Sequence, residues 1–261
     1  MQDDGVVGLP ASFQAAWGRK VRPTKGPRPG LSLERVVEAA VQLASSHSLD
    51  AVSMSRVASD LGASTMSLYR YVASKDELLE LMIDAVYAPV VSVPDSDAGW
   101  RAQLSTWAWS NLRVLRKHPW VLRIPVHGYP MTPNQIGVME NGLRALWDTG
   151  LAESEKLSVI MLLTSLVRIH VTLGGAVTDA FSEEGLSEVR GTAAYGSILA
   201  QLAPAASFPA LHAVIEAGVF DEQDHPDFGF EFVLERVLDG VEALVLLRAV
   251  NPAATTPASA S

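Results

Sequence analysis

Apolar residues begin to recur with a helical period just after Ser32. Val36, Val37, Ala40, Val41 and Ala44 share one face, which predicts a helix to about Ser46 with Ser32 as its N-cap. Ser53 starts a second short helix carrying Val57, Ala58 and Leu61, and Gly62 ends it. A third begins near Ser64 and contains Leu68 and Val72. Ser74 caps a fourth, Lys75 to about Val91, with Leu78, Leu81, Met82 and Ala85 on one side. Further helices are expected from about Ala98 to Lys117, and as a short piece from Pro119 to near Pro125. Thr132-Pro133 opens another, to about Asp148. Ser154 to about Ala180, Leu186 to Leu202, Pro209 to Ala217 and Phe228 to Val250 complete the series. No stretch alternates with period two, so the fold class is all-α, with about ten helices around two cores.

The ends read differently. Leu9, Phe13 and Trp17 are spaced by four, and Pro10 is placed to open a short helix. Residues 21–30 carry Pro23, Pro27 and Pro29 among basic residues, which holds the chain extended. Residues 252–261 are small and polar, as in a disordered tail. The expected organisation is a flexible basic arm over 1–30, a helix-turn-helix DNA-binding domain over 31–77, a helical ligand-binding and dimerisation domain over 78–251, and the tail.

Composition narrows the classes. The 261 residues are 48% hydrophobic and include no cysteine, which excludes a disulfide scaffold, a zinc ribbon and a thiol nucleophile. MQDDGVVGLP has acids where a secretion signal needs bases. The run Val159–Gly175 is interrupted by Thr164, Ser165, Arg168, His170 and Thr172, so no membrane span is expected, and the location expected is cytoplasmic. The net charge of −9 is uneven. Arg19 to Lys75 holds nine basic and four acidic residues, whereas 76–261 holds 11 and 23. A basic front on an acidic body confines any nucleic-acid contact to one end.

The segment Ser53–Val72 reads SMSRVASDLGASTMSLYRYV. Two short helices joined at a glycine fit a helix-turn-helix. Val57, Leu61, Leu68 and Val72 face the core, which leaves Ser64, Thr65, Met66, Ser67, Tyr69, Arg70 and Tyr71 outside. Hydroxyls and Arg suit base edges and phosphates, and Met suits thymine methyls. An ordinary helical hairpin with a polar face has the same spacing, so the residues alone leave both readings open.

Residues 31–93 resemble the DNA-binding domain of tetracycline-repressor (TetR) family transcriptional regulators. The resemblance rests on LDAVSMSRVASDLGASTMSLYRYVASKDELLELMIDAV, above all Leu68–Val72 and Ser74–Leu79. Trp100, the His118-Pro119-Trp120 corner and Thr132-Pro133-Asn134 resemble the family's ligand-binding part. Val72 departs from the usual Phe. The resemblance implies that Ser53 and Ser55 meet the DNA backbone. It directs Thr65, Met66, Ser67 and Arg70 at bases, and Tyr69, Tyr71 and Lys75 at phosphates. It also implies late helices paired across a two-fold axis, hence a homodimer on a palindromic double-stranded operator. A bulky, mostly apolar effector would release it, with the fourth helix as lever. Arg22, Lys25 and Arg28 form either a minor-groove arm or a solvated linker.

A sensor needs an apolar, aromatic cavity with a few polar anchors. Candidates are Leu104, Trp107, Asn111, Trp120, His127, Met139, Met161, Ser165, Arg168, Thr172 and Tyr195. Met161, Ser165, Arg168 and Thr172 share one helix face, which either lines the pocket or meets a partner chain. His127 is a candidate ligand anchor. A shared metal contact there, as in tetracycline recognition, lacks a supporting acid. None of the six histidines has a second His within four residues, and no phosphate loop or nucleophile motif occurs. No metal, cofactor or enzymatic activity is expected. The alternative function is a helical small-molecule carrier that never meets DNA.

Overall fold

The structure is a computed structural model describing residues 9–18, 31–91, 98–125, 128–181, 188–221 and 227–250. The regular elements among them are helices: α1 (Ala11–Ala16), α2 (Leu33–Ser46), α3 (Met54–Asp60), α4 (Thr65–Leu68), α5 (Lys75–Val91) and α6 (Trp100–Lys117). They continue with α7 (Pro133–Ala145), α8 (Glu153–Phe181), α9 (Glu188–Leu202), α10 (Pro209–Glu216) and α11 (Phe228–Val250). Single 3-10 turns lie at Leu49–Ala51 and Pro119–Arg123.

Local chemistry sets the N-terminal elements. Ser32, Ser53 and Ser64 each accept from a backbone N–H three residues on, capping α2, α3 and α4. Gly62 turns the chain between α3 and α4 at φ +60°, a left-handed conformation that a side chain disfavours. The third helix was expected to extend through Val72, but α4 stops at Leu68 and the chain continues as a turn, with Tyr71 and Val72 both donating to the Leu68 carbonyl. The reason is the next helix, which already needs its cap at Ser74. Ser74 Oγ accepts from Glu77 N at 3.1 Å, and Glu77 Oε2 accepts from Ala73 N at 3.1 Å, a capping-box pattern.

Val36, Val37 and Ala40 of α2 bury with Val57, Leu68 and Val72. Leu78, Leu81 and Met82 of α5 continue the same cluster, and it runs on without a break into α6, α7, α8 and α11. The two cores expected from the sequence are therefore one continuous core, with α5 as the shared strut. It packs on α2 and on α6 and α7. The segment expected to be a flexible arm includes a docked element. α1 packs on α5 with Phe13 buried, Ser12 Oγ donates to Glu77 Oε2 at 2.5 Å, and the Trp17 indole donates to the Met131 carbonyl at 2.9 Å.

Helices α8 and α11 pack together at the far end. Each buries one row: Val159, Ile160, Leu163 and Val167 on α8, and Phe230, Leu234, Leu238 and Val241 on α11. Each also leaves an apolar row outside: Leu162, Ile169 and Leu173 on α8, and Phe232, Leu246 and Leu247 on α11, all more than half exposed. By length and composition the stretch Glu153–Gly174 is apolar enough to cross a membrane, which differs from the sequence reading. Despite the interrupting polar groups, an 18-residue window of that stretch has a mean hydropathy of 1.7.

Arg248 of α11 clamps Glu155 of α8 at 2.5 Å, and that guanidinium holds the Glu155 carboxyl below its ordinary value. A depressed carboxylate pKa contributes stability above its unfolded value and loses it as pH falls through the folded one. The melting temperature is expected to fall as pH drops below about 4.5, less steeply in Glu155→Gln than in the parent; identical slopes would remove this pair from the account.

Candidate nucleic-acid interface and ligand site

The outward side of the helix-turn-helix is built from caps and unpaired side chains. Met66 is 75% exposed in a short helix whose Leu68 is fully buried, and Tyr69, just past the end of that helix, is 46% exposed. Arg70 and Lys75 are exposed, and among the described residues no ion pair holds either one. Ser64 Oγ lies 2.8 Å from Ser67 Oγ, and Ser53 Oγ lies 3.2 Å from Ser55 Oγ. Both hydroxyl pairs sit at helix N-termini, where backbone dipoles favour anions. Thr65 and Ser67 are half-buried. Free cations, hydroxyls and helix N-termini on one small unit are the groups that grip phosphates.

Tyr71 departs from its expected phosphate role. It is half-buried and its hydroxyl donates to the Leu31 carbonyl at 2.9 Å, fixing the approach to α2. Its one proton is thereby committed within the domain. Arg22, Lys25, Arg28 and His127 lie outside the described residues.

In the body, the structure brings part of the expected pocket together. Leu104, Trp107 and Asn111 of α6 are buried, and Met139 of α7 is partly buried. The Trp107 indole donates to the Val138 carbonyl at 2.8 Å, and Asn111 Nδ2 donates to the Trp107 carbonyl at 2.8 Å. Gly142 lets α7 approach, since a Cβ there would stand 2.7 Å from Ile160 Cδ1 and 3.2 Å from the Trp107 ring. Trp107 therefore fills the junction of α6, α7 and α8. On α5, burial pushes the Tyr87 hydroxyl up to about 12 against the opposing charge of Arg168.

Other candidates lie elsewhere. Trp120 is buried, but its indole faces Ser45 of α2 at 3.3 Å. With Arg123 paired to Asp50 at 2.7 Å, it joins the body to the DNA-binding domain rather than lining a pocket. Met161, Ser165 and Thr172 are exposed, and both hydroxyls bond carbonyls of their own helix. Of the two readings left open for that stripe, this placement fits the partner-facing one. Tyr195 is 44% exposed on α9, edge-on to Phe220. A groove of about 430 Å³ opens between the start of α6 and α11, lined by residues including Trp100, Arg101, Ser105 and Glu235, none of them expected. Arg101 there binds Glu235, Asp239 and Glu242 at 2.5, 2.6 and 3.1 Å.

The sequence reading also missed Asp84, a buried carboxylate of α5. Its signal is a lone acid amid Leu81, Met82, Ile83 and Ala85.

Comparison with known proteins follows the same division. Residues 36–82 match the family described as bacterial regulatory proteins, tetR family, and residues 93–245 match the tetracyclin repressor-like C-terminal domain. The HTH-type transcriptional repressor DrrR1 of Streptomyces coeruleorubidus is 35% identical over 253 residues, covering 95% of this chain and 90% of that one. Apo ActR from Streptomyces coelicolor superposes with a TM-score of 0.68 at 29% identity, over 84% of this chain and 98% of that one. ActR in complex with actinorhodin gives 0.69 at 28% identity, over 83% and 97%.

Proposed function

The chain belongs to the tetR family of bacterial regulatory proteins, and on that premise we propose that it is a ligand-responsive transcriptional repressor that holds a palindromic operator as a homodimer and leaves it when a bulky, mostly apolar molecule binds the body. The observation that carries this reading is α5. One helix begins at the exposed Lys75 beside the helix-turn-helix and buries its later residues against α7 in the ligand-binding part. Ser53, Ser55, Ser64, Thr65, Met66, Ser67, Tyr69, Arg70 and Lys75 form the DNA surface, with Arg70 and Met66 at base edges. Leu104, Trp107, Asn111 and Met139 form the wall a ligand must displace or line. The exposed rows on α8 and α11 support the two-fold interface, since an apolar face that wide is otherwise left in water.

A ligand that prefers one spacing of the two recognition helices weakens DNA binding by its preference, typically about 5- to 150-fold. The test titrates a selected duplex against bulky aromatic compounds, actinorhodin among them, while following tryptophan fluorescence. A compound that binds is expected to bind more weakly, by the same factor, when the duplex is saturating. Equal ligand affinity with and without the duplex overturns the induction reading.

A further inference from the structure

Helix α7 does not cap itself. Its N-cap residue, Thr132, is fully buried, and its side chain makes no capping bond. The orphan amides of the first turn are instead taken by α5. Asp84 Oδ1 accepts from Asn134 N at 2.8 Å and from Gln135 N at 3.1 Å, while Asp84 Oδ2 accepts from Asn134 Nδ2 at 2.9 Å. Asp84 is 5% exposed, so a buried carboxylate on one helix closes the positive end of another. The same face of α5 carries Glu77 and Glu80. Glu80 accepts from Gln135 Nε2 at 3.5 Å, and Glu77 accepts from Ser12 of α1, whose neighbour Trp17 holds the Met131 carbonyl. Asp84 and Glu80 thus tie the strut directly to the start of α7, and Glu77 ties it to α1.

We propose that Asp84 is the coupling residue of this regulator: its capping of α7 makes α7 and α5 one mechanical unit, so that movement of α7 by a ligand becomes movement of the DNA-binding helices. The proposal rests on the reading of the protein as a DNA-binding regulator. The physical argument is that a buried charge cannot be left uncompensated, so α7 cannot shift along α5 without Asp84 losing its donors or following them. Packing alone lets helices slide, whereas a bidentate cap fixes the register. Asp84 is a positioning residue and touches neither DNA nor ligand.

Coupling is reciprocal, which allows a test with DNA alone. Hydrogen exchange is followed by mass spectrometry in the full-length protein, free and saturated with a duplex selected from random sequence. In the parent, the duplex is expected to slow exchange over residues 132–138 by about fivefold or more, alongside protection of α2 to α4. In Asp84→Ala the duplex should still bind and still protect α2 to α4, while the response over 132–138 falls below about twofold. Asp84→Asn, which keeps an acceptor of the same shape, should restore part of it. If the duplex protects α2 to α4 but leaves 132–138 unchanged in the parent, the proposal is overturned while the DNA-binding reading stands. An equal response in the parent and Asp84→Ala also overturns it. A protein that selects no duplex at all overturns the functional reading first. The parent measurement stands even if the alanine variant is unstable.

Discussion

Ile169→Glu combined with Leu246→Glu is expected to give a folded monomer that has lost sequence-specific DNA binding. Both side chains lie outside the core, 51% and 62% exposed, opposite the buried rows of α8 and α11. The charges are therefore solvated in the single chain. Across a two-fold interface each substitution occurs twice and buries a charge without a partner, which costs far more than the apolar contact it replaces. A monomer reads one half-site, so its affinity should approach the non-specific level, a fall of about 10³-fold or more. Light scattering should move from twice to once the 27.9 kDa chain mass, with duplex binding followed by anisotropy. A variant that remains dimeric places the interface elsewhere.

Arg70→Ala should weaken the selected duplex strongly and also change which sequences are preferred. Arg70 is exposed, follows the recognition helix directly, and has no ion-pair partner among the described residues. A bidentate arginine contact to a guanine discriminates by about 1–3 kcal/mol, and a dimer makes it twice, so the total loss is about 2–6 kcal/mol. Lys75→Ala supplies the contrast. At the start of α5 it suits a phosphate, so its loss should weaken all duplexes alike and lower the salt slope by about one unit per chain. A selection returning the same sequence from Arg70→Ala and from the parent would move base recognition to other residues.

Much of this was legible from the residues in order. The spacing of Val36, Val37, Ala40 and Ala44, the three serine caps and Gly62 are local signals, and they placed α2, α3 and the turn correctly. Each acts over a few residues, which is what periodicity and capping report. The length of α4 was not legible, because it is set by competition with the cap of α5. Tyr71 and Trp120 were misplaced for another reason. Both are aromatic with a polar tip, and such residues serve equally at an interface or at a joint between packed elements. Their partners, Leu31 and Ser45, are 40 and 75 residues away. The capping role of Asp84 was not legible for the same reason, since the amides it caps lie 50 residues later in the chain. Helix α11 shows the converse case: its apolar residues are buried on one side and bare on the other.

Selection from a pool of random duplexes by the full-length protein addresses the central claim most directly. The account requires enrichment of an inverted repeat whose half-sites lie about one helical turn apart, bound by two chains and increasingly weakly as salt rises. Recovery of no enriched inverted repeat, with binding indifferent to sequence, would contradict it.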